Sequence, residues 1–205
     1  MRRSLVLLLL TAGCGTVTPP DRPDPYDYTI ALDNGFRIVF HWTAASLPVR
    51  VWPDPTLRAH AADALRLWEG LSLYGEFRGV LVGDSARADV LILRAREAVF
   101  SGTPGEISDC AGTTSIGVEL DTTITLPFRI TLTPRAGAGL GDVDQCFAIV
   151  AAHELGHALG LLLHSGDPED LMYGRPATQD ATPRDRTTFT TLYHSPPTVR
   201  VPPGR

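Results

Sequence analysis

Apolar residues recur along this chain with two different periods, and the changes of period predict its elements. Residues 28–42 alternate apolar and polar side chains around Asp33-Asn34-Gly35, which predicts a hairpin closed by a two-residue turn. Residues 47–52 predict a second strand. Over residues 55–68, Leu57, Ala61, Ala64, Leu65 and Trp68 fall at helical spacing, so a helix is expected there, ending by Gly70. Residues 77–82 and 88–93 predict strands, and the second is so uniformly apolar that it belongs in the middle of a sheet. Residues 113–120 and 128–133 predict two more, separated by a Thr-rich turn. A long helix follows, running to about Gly160, with Asp142 or Asp144 as its cap. Its Val143, Phe147, Val150 and Leu155 are expected to face the sheet, and His153 and His157 a cleft. Thr182-Pro183-Arg184-Asp185 opens a last helix through Tyr193, with Thr182 as cap and proline in the first turn. From Pro196 the chain is polar and Pro-rich, and residues 196–205 read as a loose tail.

This order predicts one α+β domain over residues 28–195, a twisted mixed sheet with two long helices and then a terminal helix. With 205 residues the chain has enough length for a proper core. Its N-terminus reads as an address: Arg2 and Arg3 precede an apolar run over residues 5–10, too short to cross a bilayer. The run ends at Thr11-Ala12-Gly13-Cys14, which resembles a bacterial lipobox, although leucine usually stands where Thr11 does. That resemblance implies a signal peptide over residues 1–14 and an acylated Cys14 anchoring an exported cell-envelope lipoprotein. Plain secretion is the alternative. Residues 15–27, rich in proline and aspartate, read as a tether.

Charge narrows the function. A net charge of −5 with a pI of about 5.6 leaves no basic footprint for nucleic acid. The sequence contains no lysine, which removes Schiff-base chemistry and serine–lysine dyads. Of three cysteines, Cys14 belongs to the signal. Cys110 and Cys146 then face an oxidising compartment, where a disulfide between them is the simplest outcome.

The chemistry is concentrated in His153-Glu154-Leu155-Gly156-His157-Ala158-Leu159-Gly160-Leu161-Leu162-Leu163-His164. Histidines four apart on a helix lie about 40° apart around its axis, so both rings can reach one ion. Glu154 follows the first of them, where it can hold a metal-bound water without ligating the metal. Gly160 can leave the helix in a left-handed conformation and let the chain turn back to deliver His164. Three protein ligands with an open position describe catalytic rather than structural zinc.

From His153 to Tyr173 the chain resembles the metzincin metallopeptidases and, within them, the matrixins. Those proteins carry His-Glu-x-x-His-x-x-Gly-x-x-His, whose last histidine opens the run His-Ser-x-x-Pro-x-x-Leu-Met-Tyr, to which His164-Ser165-Gly166-Asp167-Pro168-Glu169-Asp170-Leu171-Met172-Tyr173 is similar. The resemblance implies a metzincin-like fold, with zinc held by His153, His157 and His164. Met172 is then the Met-turn residue, an apolar floor beneath the histidines. One departure stands out: three residues, Leu161-Leu162-Leu163, separate Gly160 from His164 where the family has two. Leu163 occupies the strict register and cannot bind zinc. Since His164 keeps its spacing to Met172, His164 is taken as third ligand, with the carboxylate of Asp167 as alternative.

The resemblance implies a zinc-dependent endopeptidase, with a zinc-activated water as nucleophile and Glu154 as general base and then acid. Its partner would be a polypeptide lying extended along an edge strand, for which residues 113–120 are the candidate; a sheet-interior place for them stays open. Tyr173 is either a wall beside the zinc or packing beneath the Met-turn. His41, His60 and His194 lack partners at ligand spacing and read as surface or partly buried residues. Asp142-Val143-Asp144 and the acidic residues of 167–170 read as caps and solvated turns rather than a calcium loop. A monomer is expected. The competing readings are an inactive binding protein of the same fold, its zinc site spoiled by the extra leucine, and a zinc hydrolase of a cell-wall amide.

Overall fold

The computed structural model describes residues 22–95, 111–133 and 140–202, with side chains from Val143 onward in the last stretch. Five strands form the main sheet in the order β4-β3-β5-β7-β6, where β3 is Val49–Pro53, β4 Gly79–Leu81, β5 Val90–Arg94, β6 Ala111–Val118 and β7 Ile124–Thr133. β3 pairs in parallel with both β4 and β5, and β5 with β7, whereas β6 runs antiparallel to β7. The apolar β5 is central, as its composition requires of a strand covered on both faces. β7 alternates instead, burying Ile124, Phe128, Ile130 and Leu132 and turning Arg129 outward. β6 is the sheet's edge among the described strands, so residues 113–120 fall at an edge, not in the interior.

Two helices lie side by side on the sheet, α1 (Arg58–Leu71) against β3 and β4 and α2 (Leu140–Ala158) against β6 and β7. Ala61, Ala64, Leu65 and Trp68 of α1 are buried, and Trp68 Nε1 donates to the Ala152 carbonyl of α2 across 2.8 Å. α1 ends one residue beyond Gly70, because Leu71 is itself buried against the core. Phe147, Val150 and Leu155 of α2 are buried as the pattern demands, and Val143 is partly so. α3 (Pro183–Tyr193) opens on a capping box: Thr182 Oγ1 accepts from the Asp185 amide, and Asp185 Oδ2 accepts from the Thr182 amide at 2.9 Å.

Four expectations need correction. α2 begins at Leu140, so neither Asp142 nor Asp144 is its cap; Asp144 lies in the helix and meets His60 Nε2 at 3.1 Å. The N-terminal hairpin forms, but β1 (Ile30–Ala31) and β2 (Arg37–Ile38) have two residues each and make a small sheet of their own. Its loop has three residues, Asp33-Asn34-Gly35: the Leu32 amide bonds the Phe36 carbonyl at 2.8 Å, and Gly35 supplies φ +81°. The tether stops short of residue 27, because Tyr26 Oη donates to Asp185 on α3 at 2.9 Å. Nor is the stretch after Pro196 loose. Val199 is buried, and the amides of Thr198 and Arg200 bond the carbonyls of Val39 and Thr122 at 2.9 and 3.0 Å.

The signal peptide and Cys14, most of the tether and Cys110 lie outside the described residues. Cys146 is buried on α2. No helix among the described residues is long and apolar enough to cross a membrane.

Candidate metal centre

α2 carries His153 and His157 one turn apart, and its C-terminus is shaped to bring in a third histidine. Gly160 ends it with φ +112°. The Leu161 amide bonds the Gly156 carbonyl at 3.1 Å and the Gly160 amide that of His157 at 3.0 Å, the two bonds of a Schellman cap. A side chain at 160 would place its Cβ 1.8 Å from the Phe40 carbonyl oxygen, so both the conformation and the close approach require glycine. The chain then reverses through Leu161-Leu162-Leu163 to His164.

The three imidazoles converge. Their ligand nitrogens lie within 4.8 Å of one another, and His157 Nε2 and His164 Nε2 are 3.2 Å apart. Two nitrogens about 2.05 Å from a tetrahedral zinc would stand about 3.3 Å from each other, so this spacing fits such an ion. Orientation fits too. His153 Nδ1 donates to the Leu171 carbonyl at 2.7 Å and His157 Nδ1 to that of Leu161 at 2.6 Å. A carbonyl can only accept, so each Nδ1 carries the proton and each Nε2 presents its lone pair. Burial first, and then the neighbouring His157, push His153 down to about 3. Burial takes His157 down to about 4 and lowers His164 as well. Neutral rings at ordinary pH are the form a metal binds.

Asp167, the alternative ligand, is not in this cluster; its carboxylate faces Arg184 Nη2 at 3.2 Å and caps the Glu169 amide at 3.1 Å. Leu163, in the family's strict register, is 37% exposed and turned outward. The extra residue is thus absorbed within the turn, and His164 still reaches its neighbours.

Below the histidines, Met172 is fully buried, and its Sδ lies 2.5 Å from where a Cβ on Gly156 would stand. Only glycine between His153 and His157 lets the thioether come this close to the helix. The Met-turn is anchored by two acids, Asp185 from the start of α3 and Asp170, which the sequence suggested was in a solvated turn. Asp185 Oδ2 accepts the Leu171 amide at 2.9 Å. Asp170 is 2% exposed and accepts from Thr182 Oγ1 at 2.6 Å, Arg184 Nη2 at 2.6 Å and Ser165 Oγ. Burial alone would raise Asp170, but these donors together hold it below the ordinary carboxylate range.

Glu154 lies between α2 and the edge strand. Thr114 Oγ1 on β6 donates to its Oε2 at 2.7 Å, and a Cβ on Gly112 would meet its Cγ at 2.5 Å. Burial raises the Glu154 carboxyl, with the Thr114 bond opposing in part. Gly112 and Thr114 were not legible as site residues. Their one signal is the period-two alternation of residues 111–118, which puts 112, 114 and 116 on the face toward α2.

The family model of matrixin, the M10 peptidases, matches residues 50–194. The chain belongs to the matrixin family. Its fold is therefore that of a metallopeptidase family, the match extends over most of the domain, and it includes the three histidines that could hold a metal ion. No curated protein matches the chain. Tyr173 is partly buried, with its amide bonded to the Asp170 carbonyl at 3.1 Å, and Gly174 lies against the His164 ring.

Proposed function

We propose that this matrixin is a zinc-dependent endopeptidase, with His153, His157 and His164 as zinc ligands and Glu154 as the acid–base residue. The observation that carries the reading is the convergence of three imidazoles, two of which, His153 and His157, commit their Nδ1 protons to carbonyls, next to a carboxylate outside the ligand set. Zinc, when bound, supplies a Lewis acid that polarises the scissile carbonyl and acidifies water. The protein supplies the rest. Glu154, raised by burial, is tuned toward neutrality, where a carboxylate can take a proton from water and later give it to the leaving amine. Thr114 holds that carboxylate in place. An extended polypeptide is the substrate class that the β6 edge, beside Glu154, can accept through backbone hydrogen bonds.

We further propose export with Cys14 as a lipid anchor, a monomeric domain, and a Cys110–Cys146 disulfide. The disulfide is supported by Cys146 being buried and partnered rather than a free thiol. The decisive experiment is cleavage of an unfolded protein by the zinc-loaded chain, beside Glu154→Gln and with a chelator present. Cleavage by the parent alone, abolished by chelation, is expected. A zinc-loaded parent that cleaves nothing would overturn the endopeptidase reading. His164→Ala should lose zinc while Asp167→Ala keeps it.

A further inference from the structure

The segment preceding the matrixin match meets the back of the metal site at several points. Trp42 Nε1 donates to the carbonyl of Ala158, the last residue of α2, at 2.9 Å. Phe40 presses its carbonyl against Gly160. The Tyr28 carbonyl accepts the Leu162 amide at 3.2 Å, in the leucine turn that leads to His164. Tyr26 Oη donates to Asp185 Oδ1, and the opposite oxygen of that carboxylate holds the Leu171 amide.

Two of these contacts act on the carbonyls that orient the histidines. The Leu171 carbonyl fixes His153, and the amide of the same residue hangs from Asp185, which Tyr26 bonds. The Leu161 carbonyl fixes His157, and the next amide, that of Leu162, hangs from Tyr28. Each tyrosine is tied down in turn. The Tyr26 amide donates to Thr188 Oγ1 at 3.2 Å. Ser195 Oγ donates to the Thr191 carbonyl, so Tyr28 Oη donates to Ser195 Oγ at 3.0 Å. Burial and the Asp185 charge push the Tyr26 phenol well up, so it remains a donor at any working pH.

We infer that residues 26–28 are a brace for the metal site: the Tyr26 hydroxyl, through Asp185, and the Tyr28 carbonyl, kept in place by the Tyr28 hydroxyl on Ser195, position the orienting carbonyls of His153 and His157 and so set zinc affinity. The brace accounts for the tolerated extra leucine, since the lengthened turn gains a backbone bond from outside itself. It also places the junction between tether and domain directly behind the metal ligands. The inference rests on the zinc reading proposed above.

The test compares the full chain with Tyr26→Phe and with Tyr26→Phe/Tyr28→Phe, variants that keep the rings and remove only the hydroxyls. Zinc affinity is measured by competition with a chromophoric chelator, and the melting temperature of the zinc-free protein beside it. Val49→Ala, a core truncation on β3, is the control for general destabilisation. Loss of a ligand's own hydrogen-bond partner weakens metal binding by about 10–100-fold; these hydroxyls act one bond further out, so the low end, roughly tenfold, is expected of the double variant. Val49→Ala should melt at least as low without its zinc and bind zinc like the parent. Affinity of the double variant within about twofold of the parent, or an equal loss in Val49→Ala, would overturn the brace. Should the double variant fail to fold, Tyr26→Phe alone decides by the same criterion. A parent that binds no zinc sinks both the brace and the zinc reading, whereas a zinc-binding parent with unmoved variants sinks the brace alone.

Discussion

Thr114 on the edge strand donates its hydroxyl to the carboxylate of Glu154 on the metal helix, 40 residues along the chain, across 2.7 Å. The bond favours the charged form of a carboxyl that burial raises. Thr114→Val keeps the shape and removes the donor. The neutral form of Glu154 then persists to higher pH, so the acid limb of kcat/KM should move upward. At the optimum, activity should fall about fivefold, the equivalent of ~1 kcal/mol for one hydrogen bond. A pH–rate profile of parent and variant checks this. An acid limb that stays where it was, or moves downward, would separate Glu154 from the acid–base role.

Gly112 faces the same carboxylate, and a methyl group there would stand 2.5 Å from Glu154 Cγ. Glu154 is flexible enough to swing aside, so the fold should tolerate Gly112→Ala. Its melting temperature and zinc content should stay near the parent's, while cleavage falls by an order of magnitude or more as the carboxylate leaves its position. Lost zinc or a collapsed melting temperature would mean that the residue serves the fold instead.

Much of this was written in the sequence where local chemistry is decisive. Thr182, Pro183 and Asp185 form the capping box that their spacing announces, and the uniformly apolar β5 is central. The pairing of His153 with His157 follows from helical geometry alone. What stayed hidden depends on partners far along the chain. Thr114 is an ordinary strand threonine until β6 lies against α2. Asp170 reads as a solvated turn acid, yet it is buried because Arg184 and Thr182 supply donors, and nothing in the spacing of Asp185 shows that it also holds the Leu171 amide. Tyr26 and Val199, in Pro-rich stretches that composition marks as loose, are held by long-range contacts that no period reveals.

Gly160 combines φ +112° with a carbonyl 1.8 Å from its absent Cβ. The obstacle is backbone, which cannot swing away as Glu154 can. Gly160→Ala should therefore cost at least about 3 kcal/mol and displace the turn that delivers His164. Thermal melting and zinc content should both drop. A folded, fully zinc-loaded Gly160→Ala protein would show that the turn has another way to close.

Asp170 gives the site its dependence on acid. Its carboxyl is held below the ordinary range by Ser165, Thr182 and Arg184, despite burial. A group depressed in the folded state contributes its full stability above its unfolded value and loses it as pH falls through the folded value. The Met-turn should accordingly loosen in acid, on the low side of the usual carboxylate range. Asp170→Asn takes the closest carboxylate from the half-buried Arg184, leaving it only Asp167, and should cost about 2 kcal/mol at neutral pH. With no proton to take up at position 170, its melting temperature should fall less steeply on acidification than the parent's. Zinc-free melting curves from about pH 7 to about pH 2 would show the two lines converging. Parallel lines would mean that protonation of Asp170 is not what the fold senses.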